Sequence, residues 1–262
     1  MKAAFRKIDG IMLVLFFLGG VMLRLLPRIN LDPHLLTFQA DIWYRVCLAQ
    51  YLLDHGHLPF SDIRYLAYGH VPFWYNPLAI YFLAFLSKIS ALDLPTVCSR
   101  VMPWIESLSI LPFYLVCQTL YNRRVAILAT GLVTLSPSFI FWTGIATLQS
   151  FTVFLIPVII LLWIRFTEGQ YLLKDRWRHL IILGILFAIN FLMHLSFFTM
   201  VIILLFIQLA LILEHKANWR DYLYLLVPLA VSQVLTAWWW LPQNLYWWWT
   251  MAPACRRRSA ST

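Results

Sequence analysis

Tyr121-Asn122-Arg123-Arg124, residues 165–178 and residues 216–220 are short joints rich in Lys and Arg, and they alternate with joints that carry none, Trp142-Thr143-Gly144 and His194-Leu195-Ser196. Between these joints lie apolar runs long enough to cross a bilayer. The alternation therefore reads as a polytopic chain whose basic joints share one side, the cytoplasmic side by the positive-inside rule. Working outward, spans are expected at about 11–26, 97–121, 125–142, 148–164, 180–194, 197–213 and 222–241. Lys2, Arg6 and Lys7 precede the first of them and place the N-terminus in the cytoplasm. The first run has no small-residue cleavage site and reads as a retained span rather than a signal peptide.

Composition agrees. Apolar residues make up 62% of the chain and charged ones 12%, whereas soluble domains are about a quarter charged. Lipid must be the solvent for so much apolar surface. The 13 Trp fit interfacial anchoring. A net charge of +9 raises the question of nucleic acid, but no basic face interleaved with aromatics appears, and no nucleic-acid partner is expected. Cys47, Cys98, Cys117 and Cys255 show neither metal-ligand nor disulfide-framework spacing.

Residues 71–92 decide the count. They are long enough to cross, and Asn76-Pro77 is a helix start signal. If they cross, the basic joints face outside. If they lie flat in the interface, seven spans remain and 11 of the 20 Lys and Arg are cytoplasmic. The second arrangement satisfies the charge rule and is the expectation: an all-α transmembrane bundle of about seven spans, forming one domain over residues 1–250, with a large external first loop at about 27–96 that contains amphipathic helices. Residues 251–262 read as a polar tail, expected to mark a truncation.

The external face then collects Asp32, Asp41, Asp54, Asp62, four His (34, 55, 57 and 70), His194 and the aromatic run 238–249. Within the loop, residues 39–45 open a helix with apolar positions at 42, 46, 49 and 53, and Gly56 is its stop. Asp41 and Arg45 are four apart and share a face. By helix rules alone Asp41 is a dipole-favoured acid at a helix start with an ion-pair partner. Glu106 lies inside the second span and is expected to be protonated, to pair with another helix or to face a polar cavity. His55 and His57 sit in a turn without a third metal ligand, and the Trp clusters read as an aromatic belt.

Over about residues 10–245 the chain resembles the GT-C superfamily of membrane glycosyltransferases, in particular the catalytic subunit of oligosaccharyltransferase with its archaeal and bacterial relatives. The residues that carry the likeness are Asp41-Ile42-Trp43-Tyr44-Arg45, then Gly56-His57-Leu58-Pro59 and Asp62, with Leu135-Ser136-Pro137-Ser138-Phe139-Ile140 and Trp239-Trp240-Leu241-Pro242 further on. The resemblance implies transfer of a sugar or glycan from a polyprenyl-phosphate donor to an acceptor at the extracytoplasmic face, in the plasma membrane of a prokaryote. It implies that Asp41 is the reacting carboxylate, as a base or as a ligand of a divalent cation, Mg2+ or Mn2+. It makes Arg45, His57, Asp62, Gln149 and His194 candidate substrate contacts, and the lipid bilayer and a polyprenyl-phosphate-linked sugar the partners. Other members have more spans and often a soluble C-terminal domain.

One departure matters. Oligosaccharyltransferases carry a second acidic motif after an Arg between spans three and four, and residues 141–150 here contain no acid and no Arg. Either the enzyme works without a metal, or its activity is altered or lost. The competing readings are a non-catalytic membrane protein of the same fold and a transporter or flippase of lipid-linked substrates, although no internal repeat supports the latter.

Overall fold

The computed structural model describes residues 7–33, 40–62, 73, 75–144, 148–167, 173–194, 196–215 and 217–250, and every extended element among them is a helix. The expected tail 251–262 lies outside the described residues. Four helices are long and apolar enough to cross a membrane, Ile8–Arg28, Leu94–Leu120, Asp175–Met193 and Asp221–Tyr246, and three shorter ones are apolar, Pro77–Ser90, Thr152–Thr167 and Phe197–Leu213.

Helix α1 (Lys7–Leu25) turns its Ile11, Val14, Leu15 and Leu18 outward and ends in a 3-10 turn at Leu26–Arg28 around Pro27. Helix α2 (Ala40–His55) stops where Gly56 takes φ +77° and its N–H bonds Leu52 O at 2.8 Å, the left-handed stop that glycine makes without strain. Ile42, Val46 and Ala49 are buried as the spacing predicts, but Leu52 closes the face and Leu53 points out. The buried stripe is centred on Arg45, Leu48 and Leu52, which puts Leu53 on its edge. Helix α3 (Pro77–Ser90) starts at the predicted Asn76-Pro77 and packs on α2.

The expected span 97–121 is a compound helix: α4 (Leu94–Thr96), a π-turn at Val97–Val101, α5 (Met102–Ser107) and α6 (Ile110–Leu120). Its interruptions have a common cause. Pro103 cannot donate to the carbonyl four residues back, and its ring crowds that carbonyl; the preceding π-turn widens the helix there. Pro112 acts likewise on the turn at Leu108-Ser109, where Leu111 N bonds Leu108 O in the tighter i to i+3 pattern.

The expected single span 125–142 is corrected to two helices, α7 (Arg123–Leu135) and α8 (Pro137–Gly144). Pro137 forces Ser136 into extended backbone at ψ 119°. Helices α9 (Leu148–Thr167), α10 (Leu173–Met193), α11 (Phe197–Leu213) and α12 (Asp221–Thr250) follow. The α11 bounds match expectation, whereas α10 begins seven residues earlier than the apolar run and α12 continues to Thr250 rather than ending near Leu241. Polar residues at both extensions are compatible with a helix that leaves the apolar layer.

Three apolar centres hold the bundle. One joins α2, α3 and the start of the compound helix to Met193. A second joins α9, α10, α11 and α12 around Trp163, Phe187 and Leu204. A third joins α1, α6 and α7 around Leu13, Ile110 and Tyr114. Helices α10 and α12 pack along each other, and at Gly184 a Cβ would lie 2.6 Å from Val231 Cβ. Only the missing side chain admits that approach.

The helix ends sort by charge. At one end, buried Asp9 accepts a hydrogen bond from Arg123 Nε, Tyr121 and Glu214 line one crevice, and Arg176 and Arg220 line one cleft. The three basic joints therefore gather at the end where α1 begins. At the other end, about 28 Å along α1 by helix rise, Arg100 Nη2 donates to Ile29 O and Leu31 O at 3.1 and 3.4 Å. The chain from residue 29 to 93 thus leaves and returns at one end of the bundle.

Candidate functional site

Loop and helix ends converge at the end opposite the basic joints. The residues before α3 are tied to two later helices: Asn76 Nδ2 donates to Phe191 O at 2.6 Å on α10, and Gln243 Nε2 of α12 donates to Phe73 O at 2.9 Å. Asn76 occupies the N-cap position of α3 but spends its side chain on this tertiary bond instead of capping. The loop is thereby held over the end of the α10–α12 pair.

Tyr75 sits where three groups meet. Tyr44 packs edge-on against it with ring centroids 4.9 Å apart. Arg45, 5% exposed, holds its guanidinium 5.8 Å from the same ring, within the range of cation–π attraction. The Tyr44 hydroxyl donates to Asp62 Oδ1 at 2.7 Å, and Asp62 is fully buried. The stretch 41–45 and the acid at 62 are joined through tyrosines.

His194 completes the group. Its Nδ1 accepts the Ser196 N–H at 2.9 Å, which leaves the proton of the neutral ring on Nε2. Burial, and then the positive charge of Arg45, hold its pKa below the usual histidine value. His194 is therefore a neutral Nε2–H donor at pH 7, and it lies within electrostatic reach of Arg45 although 149 positions separate them in sequence. The structure places Tyr44 and Arg45 against Tyr75, ties Asp62 to Tyr44, and leaves His194 within electrostatic reach of Arg45.

The other predicted residues stand differently. Asp41 is the second residue of α2, one turn before Arg45, and its side chain lies outside the described residues. Gln149 is the second residue of α9, its side chain likewise outside them. His57 is exposed, donates Nδ1–H to Leu58 O at 2.9 Å and touches Phe60 and Tyr51 rather than the Arg45 group. Among the described residues no three His, Cys, Asp or Glu side chains come together in a way that could hold a metal ion. His55 and His57 have ring centroids 6.4 Å apart and each commits Nδ1 to a backbone carbonyl. The described residues alone thus do not form a cation site.

A buried charged cluster next to this end was not anticipated as a unit. Arg24, 1% exposed near the end of α1, donates from Nε to Thr143 Oγ1 at 3.0 Å and from Nη1 to Gly20 O at 2.7 Å, and lies 5.4 Å from the Phe139 ring centroid. Glu106, also 1% exposed, interacts with both Arg24 and Arg28. Basic residues of α1 and of the turn after it thus lie within electrostatic reach of Glu106. The signal available in the sequence was an Arg and a Glu stranded in separate apolar runs. The Trp belt also divides: Trp238 is outward, whereas Trp239 is buried edge-on against Phe191.

No protein-family model and no curated protein matches this chain. Solved structures do. The apo oligosaccharyltransferase of Archaeoglobus fulgidus superposes with a TM-score of 0.65 at 22% identity, covering 85% of this chain and 28% of that one. The same organism's oligosaccharyltransferase AglB, in complex with an inhibitory peptide and a dolichol-phosphate, gives 0.64 at 21% identity, covering 85% and 28%. Its complex with Zn and sulfate gives 0.63 at 21% identity, covering 88% and 31%. At these identities the likeness is one of fold, and the chain spans less than a third of the length of those enzymes. The fold of this chain is thus similar to that of part of an archaeal oligosaccharyltransferase.

Proposed function

We propose that the chain is the lipid-donor-binding membrane part of a GT-C glycosyltransferase, which moves a sugar or glycan from a polyprenyl-phosphate donor at the extracytoplasmic face. The observation that carries this reading is a buried Arg45 over Tyr75, next to the Tyr44–Asp62 hydrogen bond, with His194 within its electrostatic reach. A neutral N–H donor beside a fixed guanidinium suits a phosphate oxygen whose charge grows as the glycosidic bond breaks. Arg24, Arg28 and Arg100 outnumber Glu106 nearby and add to the attraction for an anionic lipid.

In this reading the basic joints are cytoplasmic, the N-terminus is inside, and residues 27–96 form the external loop of a seven-span chain whose plasma membrane is prokaryotic. The return of residues 29–93 to one end of the bundle supports that arrangement. Asp41, at the head of α2, orients or deprotonates the acceptor, with Mg2+ or Mn2+ as its partner if a cation takes part; a bound cation would neutralise the leaving phosphate. Arg45, Asp62 and His194 hold the donor end, and His57 and Gln149 meet the substrate from the rim.

One observation favours a second reading, donor binding without transfer. Residues 141–150 hold no acid, and Thr143, in the joint where a second carboxylate is expected, is bonded to Arg24. The comparison of Asp41→Asn with wild type, at equal folded yield in membranes and with polyprenyl-phosphate sugar donors, separates the two. Transfer falls roughly a hundredfold or more if Asp41 acts as base or cation ligand. Asn caps a helix about as well as Asp, so unchanged turnover leaves only the capping role.

A further inference from the structure

A cleft of about 620 Å3 opens at the opposite end of the molecule, between the α9–α10 and α11–α12 joints, lined by Thr167, Arg176, Asn218, Arg220, Asp221 and Tyr224 among others. We propose that it binds the phosphodiester headgroup of an anionic membrane lipid. This site is separate from the donor site and stands whether or not Asp41 is catalytic.

Charge is the first argument. Arg176 reaches the cleft from the first turn of α10 and Arg220 from the residue before α12, and no ion pair of either is found among the described residues. Asp221, the acid in the described lining, accepts the Asn218 N–H on Oδ2 at 2.9 Å, so its carboxylate is partly committed to holding the turn. The described lining therefore offers two guanidiniums against one engaged carboxylate. Two such forks can grip the oxygens of one phosphate, and the Tyr224 hydroxyl and Asn218 amide add neutral donors.

Level is the second argument. The spans Asp175–Met193 and Asp221–Tyr246 both begin at this cleft. Its floor is thus where the apolar stretches start, at the depth of lipid phosphates. Trp177 and Trp219, 58% and 64% exposed, flank it on the two joints, where Trp marks the interface. Just below, α12 exposes Leu223 and Leu226, apolar surface beside which an acyl chain can lie. A soluble phosphate compound would use the charges but not this apolar surface. Basic pockets between spans on the positive side of a membrane bind anionic headgroups for the same reasons.

The geometry also gives the lipid a task. Trp163 Nε1 donates to Gln208 Oε1 at 3.0 Å, and Gln208 Nε2 reaches Asn218 O at 3.5 Å. A headgroup held between Arg176 and Arg220 would tie α10 to α12 at the level where this chain of bonds ties α9 to α11.

The test uses the full chain in neutral detergent. Thermal unfolding is followed while dioleoylphosphatidylglycerol, dioleoylphosphatidylcholine or free glycerol 3-phosphate is titrated. Phosphatidylglycerol should raise the midpoint saturably, with little response to the other two. In Arg176→Gln/Arg220→Gln the concentration needed should rise roughly thirtyfold, as expected for two interfacial charges. Arg176→Lys/Arg220→Lys, which keeps the charges, should lose less. Single Gln variants, read by the same lipid-dependent shift, serve if the double variant does not fold. An equal response to phosphatidylcholine overturns the proposal, because headgroup charge is then not recognised. An equal response to glycerol 3-phosphate overturns it in favour of a soluble ligand. A phosphatidylglycerol response unchanged by the Gln substitutions removes the site from this cleft.

Discussion

The two ends of the bundle differ in how many charges they bury, Asp9 being the buried acid of the basic end. At the basic end, Arg165, Arg178 and Arg220 are exposed, and a cleft remains open between the joints. At the other end, Arg24, Arg45, Asp62 and Glu106 are each at most 5% exposed. At the first end exposed Arg side chains stay solvated and free to meet a headgroup in the cleft. Buried charges are costly unless closely partnered, and the second end accumulates them around a tethered loop. That contrast is the reason the proposed donor site is placed at the second end.

The contrast is broken most directly by labelling. In a background without the four native cysteines, Phe60→Cys and Tyr121→Cys are both well placed, since the parent residues are 88% and 68% exposed. An impermeant maleimide applied to intact cells should label the first and spare the second until the membrane is opened. Labelling of both, or of Tyr121→Cys alone, would put the basic joints outside.

Next in size is the buried cluster. Arg24→Met leaves Glu106 facing Arg28 alone and Thr143 without its donor, and should cost about 3–5 kcal/mol of stability in detergent unfolding. The double variant Arg24→Met/Glu106→Met should recover part of that loss. A single variant as stable as wild type would show that the cluster is not what holds α1 to α5 and α8.

Smaller effects sharpen the loop end. Tyr44→Phe deletes the donor to Asp62 and should cost about 1–3 kcal/mol, with faster proteolysis in the loop. Tyr222→Phe at the basic end, whose hydroxyl donates to Leu205 O from an exposed site, should cost less. If the two losses are equal, the loop end is no more specifically built than the other.

The smallest expected effect is a pH dependence confined to one end. The folded pKa of His194 lies below its unfolded value of 6.5. Its contribution to stability is therefore complete above about pH 6.5 and is lost as pH falls through the lower folded value. Removing the neighbouring charge in Arg45→Met should move the titration, followed by NMR of labelled histidine, back toward 6.5. A titration indifferent to Arg45 would separate the two residues that the site requires together.

What could be read in advance was local. The α2 helix with its Gly56 stop, the start of α3 at Asn76-Pro77 and the bounds of α11 follow from patterns a few residues long. The breaks at Ser136-Pro137 and before Pro103 were equally local, but an uninterrupted apolar run concealed them, because hydropathy does not register a missing N–H. Arg45 and His194 were expected on one face as candidate substrate contacts, but their electrostatic pairing, like the bond of Arg24 to Thr143, could not be read. Each joins helices more than a hundred residues apart, and nothing in either local sequence names the other. Asp41 and Arg45 were anticipated as a pair on one helix face; what the fold adds is the set of groups that Arg45 meets from elsewhere.

The charges of α1 bear on how the chain is made. Asp9 and Arg24 are buried in the finished protein, yet Asp9 meets Arg123 and Arg24 meets Thr143, partners 114 and 119 positions later. At about 5–20 residues per second a ribosome needs roughly 6–24 s to supply them. During that interval α1 carries two ionisable groups before Arg123 and Thr143 exist to bond them, and its long Arg can snorkel toward the headgroups. A nascent chain arrested near residue 110 should therefore be extracted by alkaline carbonate more readily than one arrested near residue 160. Helix α1 is thus made well before the residues that secure its charges.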